Sequence, residues 1–338
     1  MPIDAAAALA APPRTGTISW SPGDVQLYHL GVGAGRPATD PGELRYVLED
    51  RLHVLPSFAT VAGRGEPGVI RALSMPGVHV DLARVLHAGQ SLTVHRAIPA
   101  RGTARVTDRI AAVHDRGGAA VLVLRTEAAD ADGPLWSEEA RIHVRGEGGR
   151  GGDPGPRRPA APLAGQPDLT VERAIREDQA LLYRLSGDRN PLHADPGFAR
   201  RAGFGRPVLH GLCTYGMVLK AVVDTRLGGE VTRVEEYRTR FAGVVYPGET
   251  LRIRMWHPAG PAGTADTAGP ADAPDPADTA ARPAGSAAPE GRSIADGSAA
   301  HRAAPCGPSA CPGSVRVAVT AVERDDAPVL ADTVVRYR

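Results

Sequence analysis

The sequence carries no excess of charge of either sign, with 39 basic against 38 acidic side chains. That balance argues against a nucleic-acid or acidic-lipid surface as the main business of the molecule, while leaving room for a local basic patch facing a phosphorylated ligand. Cysteine is scarce. Cys213, Cys306 and Cys311 are odd in number and outline no disulfide framework, which fits a reducing cytoplasm. Long apolar runs are missing too. A membrane-spanning helix would need a stretch of about 18 such residues, so no span is expected. The opening MPIDAAAALAAPPRTG lacks a basic segment ahead of its short alanine stretch. Residues 1–16 are therefore expected to form a flexible tail rather than a signal peptide.

Two segments are poor in apolar bulk. Residues 147–167 are rich in Gly and Pro and read as a linker. Residues 258–313 consist mostly of Ala, Pro, Gly, Asp, Ser and Thr, with Ile294 the only large aliphatic residue. Such a stretch cannot offset an ordering cost of about 1–2 kcal/mol per residue by burying surface, so it is expected to be disordered. Cys306 and Cys311 lie inside it at a C-x4-C spacing with only His301 nearby. That set is too small for a structural metal site, and the two cysteines are read as incidental.

What is present is a repeated pattern. Residues 91–98, 103–114, 119–128 and 135–145 are β-branched-rich runs of alternating polarity, punctuated by Gly, Pro and Asp. Residues 231–242, 250–256, 315–323 and 329–338 repeat the order after about 140 residues, which suggests a duplicated α+β unit. On that reading the 258–313 segment is a grown hairpin loop, where length costs little. The halves differ in their helices. Residues 210–229 place Leu212, Met217, Leu219, Val222, Val223 and Leu227 on a helix apolar on most faces, stopped by Gly228 and Gly229. The matching first-half segment, 54–75, is broken by Pro56, Gly63, Gly65, Pro67 and Gly68.

The chemistry concentrates in YRLSGDRNPLH, residues 183–193, and in the run that follows up to Gly211. A short amphipathic helix at 176–185 is expected to end at Ser186-Gly187-Asp188. Asn190-Pro191 then forces a turn, because a residue before proline is pushed out of the helical region. Asp188 and His193 thus face each other across a proline-stiffened loop and can share one water, with the Asn190 amide tying the loop. His210-Gly211 opens the buried helix, where unpaired N–H groups can hold a developing oxyanion. The remaining histidines His29, His53, His79, His95, His114 and His143 lack motif company and are read as structural or exposed. Cys213 and the three tryptophans are read as packing residues.

The run YRLSGDRNPLHADPGFARRAGF…RPVLHG resembles the signature of the type 2, MaoC-like, (R)-specific enoyl-CoA hydratases. With DVQLYHLGVGAG, VLPSFATV and RVLHAGQSLTVHRAIPARG in the first half, the chain resembles the two-module form found in peroxisomal multifunctional enzymes. The resemblance implies an α+β double hot-dog: a substrate-binding, non-catalytic unit at 17–146 and a catalytic unit at 168–338. It implies Asp188, His193, Asn190 and Gly211 as catalytic. His87, Ala88, Arg116, Arg189, Pro191, Leu192 and Phe241 become substrate contacts, with Ala88 where glycine is usual and Arg116 where lysine is usual. The first half has no D-x-N-P-x-H. The implied reaction is hydration of a trans-2-enoyl-CoA to its (3R)-3-hydroxyacyl-CoA, by a cytoplasmic homodimer. Its partner is the acyl-CoA substrate, with no metal or organic cofactor, no nucleic acid and no membrane. The rival readings are dehydration of a 3-hydroxyacyl group on acyl carrier protein, a non-catalytic acyl-CoA-binding subunit and, more weakly, a thioesterase.

Overall fold

The alternating segments become ten strands of one antiparallel sheet in the computed structural model, which describes residues 3–64, 67–156, 163–257 and 312–338. The first half supplies β1 (Arg14–Trp20), β2 (Val85–Val94), β3 (Gly102–Asp115), β4 (Ala119–Asp130) and β5 (Gly133–Arg145). The second supplies β6 (Leu169–Ala174), β7 (Val234–Phe241), β8 (Thr250–Trp256), β9 (Gly313–Ala321) and β10 (Ala327–Tyr337). Their order is β1-β3-β4-β5-β2-β7-β10-β9-β8-β6, so the two units meet edge to edge at β2 and β7. There Gly89 pairs with Arg240, Ser91 with Arg238 and Leu92 with Tyr237. Pairing the two edge strands removes two rows of open backbone groups that would otherwise invite other chains. The result is the α+β double hot-dog architecture.

The helices are α1 (Ala5–Ala10), α2 (Pro22–Gly31), α3 (Pro41–Leu44), α4 (Gly68–Leu73), α5 (Gln179–Tyr183), α6 (Pro196–Arg201) and α7 (Gly211–Arg226). Every residue of α7 from Leu212 to Val223 is buried, as its apolar circumference predicts. Tyr215 on α7 and Tyr237 on β7 stack at 3.9 Å, and each hydroxyl donates to the other's carbonyl, at 2.9 and 3.0 Å. Lys220, also on α7, is buried between Glu43 of α3 and Asp224, at 2.7 Å to each. The ion pair to Glu43 crosses from one unit to the other. The first unit replaces a long central helix by a 3-10 stretch, Pro56–Arg64, followed by α4. The break has a local cause: Gly63 sits at φ 78°, and a Cβ there would lie 2.7 Å from the Ile18 Cβ.

Several expectations need correction. Residues 3–16 are no flexible tail. Ile3 is buried and bridges Val78, Asp4 caps α1, and β1 pairs along β3. Thr15, Thr17 and Ile18 are good strand formers, and burial of Ile3 and Ala8 anchors what precedes them. Part of the 147–167 linker is docked as well. Asp115 accepts from the N–H groups of Gly149, Arg150 and Gly152 at 2.7, 2.6 and 3.3 Å, and Glu147 is buried beside Arg84 and Arg150. Residues 157–162 lie outside the described residues. So does the 258–313 segment as far as residue 311, with Cys306 and Cys311; Pro312 is described and Gly313 already belongs to β9. The strand expected at 91–98 is displaced to Val85–Val94, and 231–233 form a 3-10 turn ahead of β7. Of the histidines, His29 is a core residue, bound to the Tyr46 carbonyl and the Leu55 N–H. Trp20 and Trp136 are buried, whereas Trp256 is half-exposed.

Gly216 allows α7 to touch α2. A Cβ there would lie 2.5 Å from the Tyr28 hydroxyl and 2.6 Å from Val32 Cγ1. Alanine in a helix interior gains about 1 kcal/mol over glycine, but overpacking a tight core costs about 1–3 kcal/mol. Gly216→Ala is therefore expected to lower the urea midpoint. An unchanged or raised midpoint would contradict the contact.

Candidate active site

Between α5 and α7 the chain makes a strand-free excursion from Gly187 to His210, and its backbone is held by short-range hydrogen bonds. The expected helix at 176–185 is trimmed to α5 and continues as a 3-10 turn, Arg184–Ser186. Gly187, at φ 134°, turns the chain outward. Asp188 Oδ1 then accepts from the Asn190 N–H at 3.1 Å, and Asn190 Oδ1 accepts from the Leu192 N–H at 3.0 Å. Two successive Asx turns thus shape the loop. Asn190 ties it with its carboxamide oxygen. Pro191 opens a 3-10 turn that ends on His193. Farther on, Asp195 caps α6, and the chain returns so that the Leu209 N–H meets the Val245 carbonyl at 2.8 Å.

This return brings His193 back to the start of α7. Its Nδ1 lies 2.8 Å from the Val208 carbonyl. A carbonyl only accepts, so Nδ1 carries the proton and Nε2 keeps its lone pair. The His193 ring stacks on His210, with centroids 3.7 Å apart and planes at 30°. His210 Nε2–H donates to the Asp188 backbone carbonyl at 3.1 Å. One ligand atom from each of Asp188, His193 and His210 falls within 4.8 Å of the others. Burial holds the His193 imidazole below its ordinary value of 6.5, against the opposing pull of the Asp188 carboxylate; the Arg184 charge lowers it further.

Three such donors invite the question of a metal. Three protein donors are the number a catalytic zinc takes, with water in the fourth place, but the two imidazole planes lie only 30° apart, which is poor aim for ligands that must converge on one ion.

Gly211 is the first residue of α7, and His210 at the N-cap gives the helix no side-chain hydrogen bond. The first N–H groups of the helix are thus left open at its positive end. Gly211 also lets the helix start lie close to Phe241, since a Cβ would lie 3.1 Å from that ring, which would have to shift slightly to admit it. Phe241 in turn packs on His87 of the first unit, at 4.8 Å between centroids. His87 Nε2–H donates to Gln90 Oε1 at 3.1 Å, and Gln90 Nε2 donates to Glu138 at 3.0 Å. Arg71 reaches both Glu138 and Asp108, at 3.1 Å to each. Burial brings His87 down to about 4 and Glu138 up to about 7, the latter opposed by Arg71.

The structure therefore gathers Asp188, Asn190, His193, Gly211, Phe241 and His87. Leu192 is half-buried in the loop, and Ala88 lies at the β2–β5 irregularity beside His87. Pro191 and Arg189 are exposed. Arg116 is not brought to the cluster. It sits at the β3–β4 hairpin, at the same end of the sheet but with β4 and β5 intervening, and donates to the Pro156 carbonyl at 3.1 Å. Sequence reasoning placed His210 at the helix start without giving it a place in the site. Its signal was adjacency to Gly211; the ring stack is visible only in three dimensions.

Histidine titration by NMR should place His193 below 6.5 and, in Asp188→Asn, lower still, because the carboxylate that favours the charged ring is gone. A rise in that variant would contradict the proximity of the two groups.

Two family models match the chain: the MFE-2 hydratase 2 N-terminal domain over residues 19–146 and the MaoC like domain over residues 159–268. An enoyl-CoA hydratase of Mycobacterium tuberculosis, ChsH3, is 47% identical, with 76% of this chain and 90% of that protein covered. Among solved structures, a MaoC-like dehydratase from Phytophthora capsici superposes with a TM-score of 0.75 at 24% identity, covering 99% and 98% of the two chains. A Mycobacterium tuberculosis protein described as a double hotdog fold gives 0.52 at 15% identity, covering 96% and 95%. At those identities the two structures speak for the fold alone.

Proposed function

This chain belongs to the MaoC-like, two-module hydratase 2 family, and on that premise we propose that it is a hydro-lyase that reversibly adds water to a trans-2-enoyl-CoA, giving the (3R)-3-hydroxyacyl-CoA. The observation that carries the reading is the placement of the Asp188 carboxylate and the neutral His193 ring together beside the uncapped N-terminus of α7. In the proposed reaction the thioester carbonyl accepts from the Gly211 N–H. This draws electron density from the conjugated double bond and leaves C3 electrophilic. Asp188 and His193 hold one water. As its oxygen bonds to C3, the pair takes up a proton, His193 through the lone pair left on Nε2, and a proton is delivered to C2 on the same face. The enolate charge gathers on the thioester oxygen meanwhile, at the positive end of α7.

The first unit supplies His87 behind Phe241, and its short helices leave room for the acyl chain. The reading requires neither metal nor organic cofactor, and it takes the enzyme as a cytoplasmic homodimer. No described helix is long and apolar enough to cross a membrane. A second reading, dehydration of a 3-hydroxyacyl group on a carrier protein, draws support from Arg189, Arg200, Arg201 and Arg206. All four are exposed on the catalytic excursion, against the single exposed carboxylate of Asp195. Relative kcat/KM on crotonyl-CoA and on the crotonyl carrier protein separates the two.

Mixing the protein with crotonyl-CoA, or with a longer trans-2-enoyl-CoA, should bleach the enoyl-thioester absorbance. Asp188→Asn and His193→Ala should each lower kcat by about 100-fold or more. The acid limb of kcat/KM should fall below pH 6.5, because the free enzyme loses its base only as His193 protonates. Binding without bleaching would sink the hydratase assignment. Dialysis against EDTA should leave the rate unchanged; a loss restored by zinc would turn the three donors into a metal site.

A further inference from the structure

One buried imidazole at the site has no task in the reaction above. His210 is 1% exposed. Its Nε2–H is committed to the Asp188 carbonyl, so Nδ1 is left as a lone pair, and that atom is buried without a hydrogen-bond partner. An N-cap side chain ordinarily accepts from a helix N–H; this one does not. Capping therefore does not explain the residue, and a buried unpartnered nitrogen costs stability. What His210 does touch is the reacting pair. It holds the backbone of Asp188 with one edge and covers the ring of His193 with one face, while Tyr183 backs it at 4.9 Å.

We propose that His210 is a positioning residue for the hydration, its N–H fixing the aim of the Asp188 carboxylate and its ring face keeping His193 dry and correctly turned. The inference rests on the hydratase reading. Only a side chain with both a flat face and an edge donor can perform the two tasks at once, and it must stay uncharged against its neighbour. The groups facing it are His193, the Asp188 loop, Arg184 and Tyr183. Burial, with the charges of His193 and Arg184, holds His210 well below the ordinary histidine value, so it remains neutral while His193 titrates. The nearby Tyr183 hydroxyl is kept protonated by burial.

Two substitutions divide the tasks. His210→Phe keeps a flat ring and loses the donor; His210→Gln keeps an N–H and loses the ring. With crotonyl-CoA, His210→Phe is expected to lower kcat by about 10-fold or more, the scale of a misaimed reacting group. Its KM should stay within about threefold and its acid limb should not move. His210→Gln is expected to keep more of kcat at high pH, but to raise both the acid limb and the NMR titration of His193, because water reaches that ring. Equal rates and profiles in both variants and the wild type would overturn the proposal. So would a matching loss in both variants with an unmoved His193 titration, which marks general damage. Should His210→Phe not fold, as read by its urea midpoint, His210→Gln decides alone. An inactive wild type defeats the hydratase reading instead, while the His193 titration in His210→Gln still tests whether His210 shields it.

Discussion

The backbone ladder between β2 and β7 is the constraint from which the rest follows. It runs from Gly89↔Arg240 to Thr93↔Glu236 and makes one sheet out of two units. Because register has a side-chain period of two, this pairing also decides what faces what. Leu92 comes opposite Tyr237, whose ring is interlocked with Tyr215 of α7. His87 comes beside Phe241, whose ring abuts Gly211. A slip of one residue would break both relations, separating the first unit from the start of α7 at Gly211. The buried Lys220–Glu43 pair adds a second tie between the units. Such a pair contributes little net stability once desolvation is counted, but it strongly penalises arrangements that leave one partner alone.

Stability and chemistry pull against each other near the site. The helix start at Gly211 has no side-chain cap, His210 Nδ1 has no partner, and His193 is half-buried. Each of these costs free energy, at the place where the proposed reaction runs. The cost is offset in the layer beneath, where α7 buries Leu212 through Val223 without interruption. A fully buried Leu or Val contributes about 1.5–3 kcal/mol, so one helix can carry an unfavourable first turn. The first unit has its own buried polar layer: Glu138 and Asp108 share Arg71, and Gln90 passes the contact on to His87.

Strand positions were legible because alternation and turn residues are local signals, and β8 runs over the very residues its alternation marks out. The apolar circumference of α7 was legible for the same reason. The turn of the candidate loop was readable because it is local: Asp188, Asn190, Pro191 and His193 shape each other within six residues. What escaped was long-range. The N-terminal residues were read as a tail because Ala-rich sequence gives no hint of the Val78 bridge or of a free edge at β3. The docking of 147–156 depends on Asp115, more than thirty residues earlier in the chain. The stack of His210 on His193 depends on a return path that spacing alone cannot trace.

The hairpin between β8 and β9 carries a consequence of another kind. The described chain leaves the sheet at Trp256 and re-enters at Gly313, and the pairs Met255↔Val317 and Trp256↔Arg316 close that end. Register along β7, β10, β9 and β8 puts this opening at the opposite end of the sheet from Phe241 and His87. Register thus separates the two ends of that hairpin from the strand end that carries Phe241 and His87. The same position offers protein engineers a place to splice in a reporter or affinity module, at the far end of the strands from Phe241 and between strands that are already stitched together.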